Sequence, residues 1–349
     1  MLRYDKLVLA ALLSVTTASA AEFLAVSAAP DQTGGVYRIA DGKATQLVAV
    51  PDLFHLVRDK KSGLLYGAVR KGFGTKKRCG AVVVLASTAD GKLQVAQTLP
   101  IQGRTPCFIT LAPDKCRLYT ANYSSGDLAE IPLDVDGRIA GEARLIRHAG
   151  HGPTPRQKSP HPHCALFDPA GKGLYVCDLG TDRIYVYDRT PGQGINTPAA
   201  AELPLPPGSG PRHLVFSPDG NRLYVADELN GTAASFVRDA KTGEWRFKTA
   251  VSTLEAAGDK PNYPGAIKLS ADGRILFVTN RGDNSIACFD ATPDGNIKLR
   301  ETIPAGGDYP SDLLISAEGK TLAVANFKSG NVTTPEGSVE IKQPIALHP

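Results

Sequence analysis

A chain of 349 residues would ordinarily suggest two domains, but 35 glycines, 26 prolines and 42% hydrophobic residues describe many short strands joined by tight turns. No long stretch carries helical periodicity, which argues against an α/β architecture. The formal charge of +4 is small and includes no Lys/Arg-rich block, leaving no basis for a nucleic-acid-binding role.

Residues 1–20 stand apart. Arg3 and Lys6 precede an apolar run from Leu7 to Val15, and small residues follow, ending Ala18-Ser19-Ala20. That order of charged, apolar and small segments is a secretory signal peptide, and its apolar core is too short to span a bilayer. Export to the periplasm or medium follows, with a mature chain over 21–349 that has no membrane span. Six cysteines in an exported chain invite disulfides, and Cys164 and Cys177 sit symmetrically about one hairpin. Buried free thiols are the more ordinary outcome in such sheets, so their oxidation state stays open. None of the spacings is C-x-x-C, so no zinc or thioredoxin-type motif is indicated.

From Phe23 to Val50 the chain supplies three strands of a first unit that lacks its own innermost strand. A hairpin pattern then recurs: CFITLAPDKCRLYTANYS from Cys107, RHLVFSPDGNRLYVADEL from Arg212, GAIKLSADGRILFVTNRG from Gly265 and SDLLISAEGKTLAVANFK from Ser311 align without gaps, with a degraded copy from Phe54. The unit from His163 runs strand, Pro/Gly turn, second strand Leu174 to Cys177, polar corner and third strand Arg183 to Tyr187. Equivalent second-strand residues are Leu24, Tyr66, Tyr119, Tyr175, Tyr224, Phe277 and Ala323, spaced by 42, 53, 56, 49, 53 and 46. A period of about 50 built from short strands is the mark of a propeller blade. The expected fold is all-β: a single seven-bladed β-propeller of four-stranded antiparallel blades around a central channel. Ser338 to Ile345 is the expected closing segment, although Pro335 and Pro344 make it an awkward strand. Gly192 to Gly210 reads as a plain connector, and Arg147 to Pro162 as a long polar loop of functional length.

The first residue of each inner strand and the last of the next strand share one end of the hairpin. The starts are Phe54, Cys107, His163, Arg212, Gly265 and Ser311, and the matching ends are Arg70, Tyr123, Leu179, Glu228, Arg281 and Phe327. These positions should ring one channel mouth, bringing together His163, Arg212, Glu228 and Arg281. An imidazole, a carboxylate and two guanidinium groups suffice for acid/base work on an anionic or carbonyl substrate. His161, His213, Arg156 and Tyr123 are candidate substrate-binding residues beside them. A one-residue slip would exchange Glu228 for Asp227 and Arg281 for Asn280. The bland alternatives are an inter-blade hydrogen bond for His163 and an ion pair for Arg212 and Glu228. Asn122, Asp178, Asp227, Asn280 and Asn326 share the preceding position; an oxygen ring could hold calcium, but Asx side chains capping each corner explain the repetition better, and no metal is expected.

The segments GPTPRQKSPHPH, FDPAGKGLYVCDLGTDRIYVYD, GSGPRHLVFSPDGNRLYVADEL and YPGAIKLSADGRILFVTNRGDNSIACF resemble the seven-bladed lactonase family, which includes propeller-type 6-phosphogluconolactonases and carboxy-cis,cis-muconate cyclases. The resemblance covers about Leu53 to Asn331 and is specific in the middle four blades. It implies a catalytic His, Arg, Glu and Arg at the PHPH, GPRH, DEL and NRG motifs, which are His163, Arg212, Glu228 and Arg281. It further implies hydrolysis of a small sugar lactone; a monomer acting without metal or organic cofactor is expected. The alternatives are a lactonising cycloisomerase acting on a carboxymuconate and a non-catalytic exported propeller that binds a ligand or protein.

Overall fold

The computed structural model describes residues 22–71, 79–256, 261–315 and 322–349; the leader expected over 1–20 lies outside them. Seven sheets, each with a four-strand antiparallel path, follow one another around a ring. Blade 2 runs from Leu53 to Pro100, blade 3 from Pro106 to Arg147, blade 4 from Pro162 to Pro204, blade 5 from Pro211 to Ser252, blade 6 from Tyr263 to Pro304 and blade 7 from Pro310 to Glu340. Blade 1 takes three strands from Phe23–Ser27, Gly35–Ala40 and Lys43–Ala49, and its innermost strand from Pro344–His348. The ring is thus closed by backbone pairing between the two ends of the described chain, as Leu24 opposite His348 shows.

That closure corrects the sequence expectation by about six residues. Gly337–Glu340, inside the expected closing segment, is instead the outermost strand of blade 7. Pro344 is no obstacle because it occupies the first position of the strand, where a missing N–H is tolerated. A second correction concerns Gly192 to Gly210. This stretch contains a short ladder at Gly194–Ile195 and the outer strand of blade 4, Ala201–Pro204.

The apolar core lies between adjacent blades. Leu214, Leu223 and Phe236 of blade 5 pack on Tyr175, Ile184 and Leu203 of blade 4. The tyrosines that marked the repeat, Tyr66, Tyr119, Tyr175 and Tyr224, are all buried in these seams. Truncating one to alanine should cost about 3–5 kcal/mol, the usual loss for a large aromatic.

One irregularity recurs in every blade. The inner strand bulges near its start, leaving Phe54, Cys107, His163, Arg212 and Ser311 without a register partner, and Ile345 likewise in blade 1. In blade 6 the bulge spans Gly265 and Ala266. The residue two positions before it takes a left-handed conformation in five blades, at Asp52, Thr105, Gly210, Tyr309 and Gln343. At Gly210 (φ +63°) a Cβ would meet Leu229 Cγ at 2.4 Å, so glycine is required there. A bulge re-aims the side chains around it, and such devices gather beside functional sites.

Candidate active site at the channel mouth

The bulge is what puts Arg212 into the site. Pro211 pairs with Asp227 and His213 with Ala226, so Arg212 is the extra residue. The adjoining strand end is fixed by the Glu228 N–H, which donates to the Gly210 carbonyl at 2.8 Å. The same bond recurs as Arg70 to Asp52, Tyr123 to Thr105, Leu179 to His161 and Phe327 to Tyr309. The expected pairing of strand starts and ends around one mouth therefore holds, and the one-residue slip does not occur. Asp227 is fully buried and accepts from the Thr232 hydroxyl at 3.0 Å.

Glu228 is the hub. It is 5% exposed. Its Oε2 accepts from Arg281 Nη2 at 2.5 Å, its Oε1 lies 2.7 Å from Arg156 Nη2, and Arg212 Nε is 3.2 Å from Oε2. Arg212 Nε is not aligned as a hydrogen-bond donor, so this last contact is an ion pair. Burial alone would raise the Glu228 carboxyl, but Arg281, Arg212, His163 and Arg156 outweigh it and hold the group well below the usual carboxylate range. It is therefore a fixed anion at neutral pH and a poor proton relay.

The three arginines differ in freedom. Arg281 is pinned, donating from Nε to the Tyr263 carbonyl and from Nη2 to the Pro264 carbonyl, both at 2.9 Å, and stacking over Tyr309 with 5.2 Å to the ring centroid. Arg212 is buried, and burial and Arg281 push it down to about 10, still protonated at neutral pH. Its Nη1 is 3.3 and 3.1 Å from the two ring nitrogens of His213. A neutral imidazole has only one in-plane lone pair, and an atom nearly equidistant from both nitrogens lies over the ring, so the guanidinium rests on the ring face. Arg156 reaches in from the long loop with 45% of its side chain exposed, and it also donates to the Tyr123 hydroxyl at 3.2 Å. Three cations around one carboxylate leave a formal excess of +2 at the mouth.

His163 is 7% exposed and its Nδ1 is buried without a hydrogen-bond partner. Burial and the nearby Arg212 lower its basicity well below the ordinary histidine value, Glu228 only partly opposing them, so the imidazole is neutral at neutral pH. Its ring meets Tyr123 edge-on at 5.7 Å and His213 at 5.3 Å. His161 packs on Tyr123: its Nδ1 is 2.7 Å from the Tyr123 carbonyl and its ring stacks on the Tyr123 ring at 4.4 Å. The alignment thus gathers all eight candidates, with His213 one step further down the channel than the rest.

The loop that carries Arg156 is tied to the blades by buried groups that the sequence did not single out. Gln157, fully buried, donates to the Leu179 carbonyl at 2.9 Å and to Asp182 at 2.6 Å. Asp182 in turn accepts from the N–H groups of Gly208 and Gly210, immediately before Arg212. His148 is sealed between Asp178 (2.7 Å) and the Tyr187 hydroxyl (3.0 Å). Asp178 also accepts from the N–H groups of His161 and Gly180. Asn122, Asn280 and Asn326 make equivalent corner bonds, to Asp127, Ser285 and Thr333 respectively. Their side chains are committed to the corners. Tyr309 and Lys328, whose Nζ lies 4.4 Å from the Tyr309 centroid, complete the rim and were missed. Tyr309 holds the same left-handed corner position as Gly210, which is the signal that would have found it.

A closed ring of seven antiparallel four-strand blades defines the class, a seven-bladed β-propeller. The chain belongs to the family described as Lactonase, 7-bladed beta-propeller, whose model matches residues 24–339. It is similar to a 6-phosphogluconolactonase of Bacillus subtilis, 29% identical over 287 residues, covering 82% of this chain and 80% of that protein. Among solved structures it is similar to a periplasmic gluconolactonase of Pseudomonas aeruginosa, with TM-score 0.83 and 28% identity over 94% of this chain and 98% of the other. A protein described as a possible 6-phosphogluconolactonase of Bacteroides fragilis also superposes with TM-score 0.83 at 26% identity, over 95% and 98% of the two chains.

Proposed function

We propose that this protein is an exported, monomeric hydrolase that opens a small sugar lactone without metal or organic cofactor. The observation that carries the proposal is the neutral His163 with a free buried Nδ1 beside arginines organised by a permanently ionised Glu228. His163 takes a proton from water as the oxygen adds to the lactone carbonyl. Arg212 and the half-exposed Arg156 stabilise the charge developing on the carbonyl oxygen, and Arg281 and Glu228 position them. Collapse of the adduct breaks the ring C–O bond, and the imidazolium returns its proton to the leaving alkoxide, giving a hydroxycarboxylate. Export is supported by the leader pattern and by likeness to a periplasmic gluconolactonase.

The excess of positive charge also favours a second reading, a cycloisomerase in which the arginines clamp the carboxylates of a carboxymuconate. One assay separates them. Lactone hydrolysis releases acid, and an EDTA-insensitive rate is expected, whereas the cyclisation consumes a diene chromophore. Neither signal would leave a non-catalytic binding propeller.

A further inference from the structure

Beneath the mouth the channel encloses a cavity of about 480 Å³, inside the range of roughly 300–1,000 Å³ usual for small-molecule sites. Arg212 lies at its upper end, whereas Arg58, Leu269 and Ile315, the last residues of their inner strands, lie at its lower end. It therefore runs from the bulges at the mouth, where Phe54, Cys107 and Arg212 line it, to the lower ends of the inner strands. Of the four residues assigned to catalysis only Arg212 lines it.

The wall has two characters. Phe108, Leu166, Val215 and Leu314 line the cavity and are only partly buried, so apolar surface is left facing it. Between them stand Lys268, Asp312 and the imidazoles of His55, His213 and His348. Asp312 offsets Lys268 only in part: it lies 3.4 Å from Nζ and already accepts the Leu347 N–H at 2.9 Å. Burial first, and the neighbouring cations after it, hold His55 and His213 well below the ordinary histidine value, and burial pushes His348 down to about 4 against the opposing Asp312. His55 Nδ1 accepts the Ile109 N–H at 3.4 Å, which leaves its proton on Nε2. Apolar walls, a net positive field and an unspent imidazole N–H are complementary to one kind of ligand.

We propose that this chamber binds a small organic monocarboxylate with an apolar body, its carboxylate held by Lys268 and the His55 Nε2–H and its body covering Phe108, Leu166 and Leu314. The chamber shares only Arg212 and His213 with the site at the mouth and is read by binding alone. Calorimetry of the intact protein with 3-phenylpropionate and with its neutral amide, 3-phenylpropionamide, tests it. One-to-one binding of the acid is expected, with the amide at least about tenfold weaker because a charge-assisted contact is lost. Leu166→Trp, which fills the chamber without changing charge, should abolish binding, and Lys268→Met should weaken it at least about tenfold. Near-ultraviolet dichroism establishes that each variant is folded. No binding of the acid at millimolar concentration, equal affinity for acid and amide, or undiminished affinity in either folded variant would overturn the proposal.

Discussion

Arg212 and Glu228 approach to 3.2 Å from adjacent strands of one blade, and the same carboxylate oxygen takes Arg281 from the next blade at 2.5 Å. A single buried anion thus ties two blades and, through Arg156, the long loop. Glu228→Gln keeps the shape but leaves buried guanidinium groups uncompensated. Stability should fall by about 3–5 kcal/mol, the usual cost of breaking a buried ion pair by removing one partner. A urea midpoint within error of wild type would contradict this.

The depressed carboxyl of Glu228 also gives a pH signature. Its contribution to stability is fully present above the ordinary value of 4.5 and is lost as pH falls toward the lower folded-state value. Wild type should therefore lose stability more steeply than Glu228→Gln as pH drops below about 4.5. Parallel curves from thermal melts across that window would remove the assignment.

In its proposed role as the base, His163 works only while neutral. Because burial and Arg212 lower it below the ordinary 6.5, the acid limb of kcat/KM should lie below pH 6.5. Rates already falling at neutral pH would place the base elsewhere.

Arg156 and Arg281 should separate in stability. Arg156 is half-exposed and holds no blade together, so Arg156→Ala should lower kcat, as loss of a transition-state contact does, with stability changed by no more than about 1 kcal/mol. Arg281→Lys loses the donors that bind two carbonyls and Glu228 at once, so kcat and stability should fall together. Steady-state kinetics and denaturation of the two variants give the comparison.

Cys164 and Cys177 stand opposite each other in the ladder, yet all six cysteines are free thiols. Burial pushes Cys107, Cys164 and Cys288 up to about 12 and Cys177 well above its ordinary value. A thiol reagent should therefore label only the partly exposed Cys79 and Cys116 in the native protein and all six after unfolding. Fast native labelling of four or more would contradict the packing.

The blade count, the inner hairpins and the four residues at the mouth were legible because the Pro/Asp-Gly turns and buried tyrosines repeat in register. The closing strand was misplaced for a reason also in the sequence. Inner strands of blades 3, 4, 5 and 7 begin with Pro106, Pro162, Pro211 and Pro310, so Pro344 was the marker of a start rather than an obstacle. The bulge was not legible, because nothing in residue type distinguishes a bulged Arg212 from a paired one. That is why Arg212 and His213 both reaching the channel, and the chamber below them, emerge only from register.

The most direct test is acid release, followed by a pH indicator, from plain and phosphorylated aldonolactones by purified wild type, His163→Ala and Arg212→Ala. The account predicts that wild type opens at least one lactone and that each folded variant is slower by about a hundredfold or more. Wild-type silence across the panel, or near-normal rates in both variants, would contradict it.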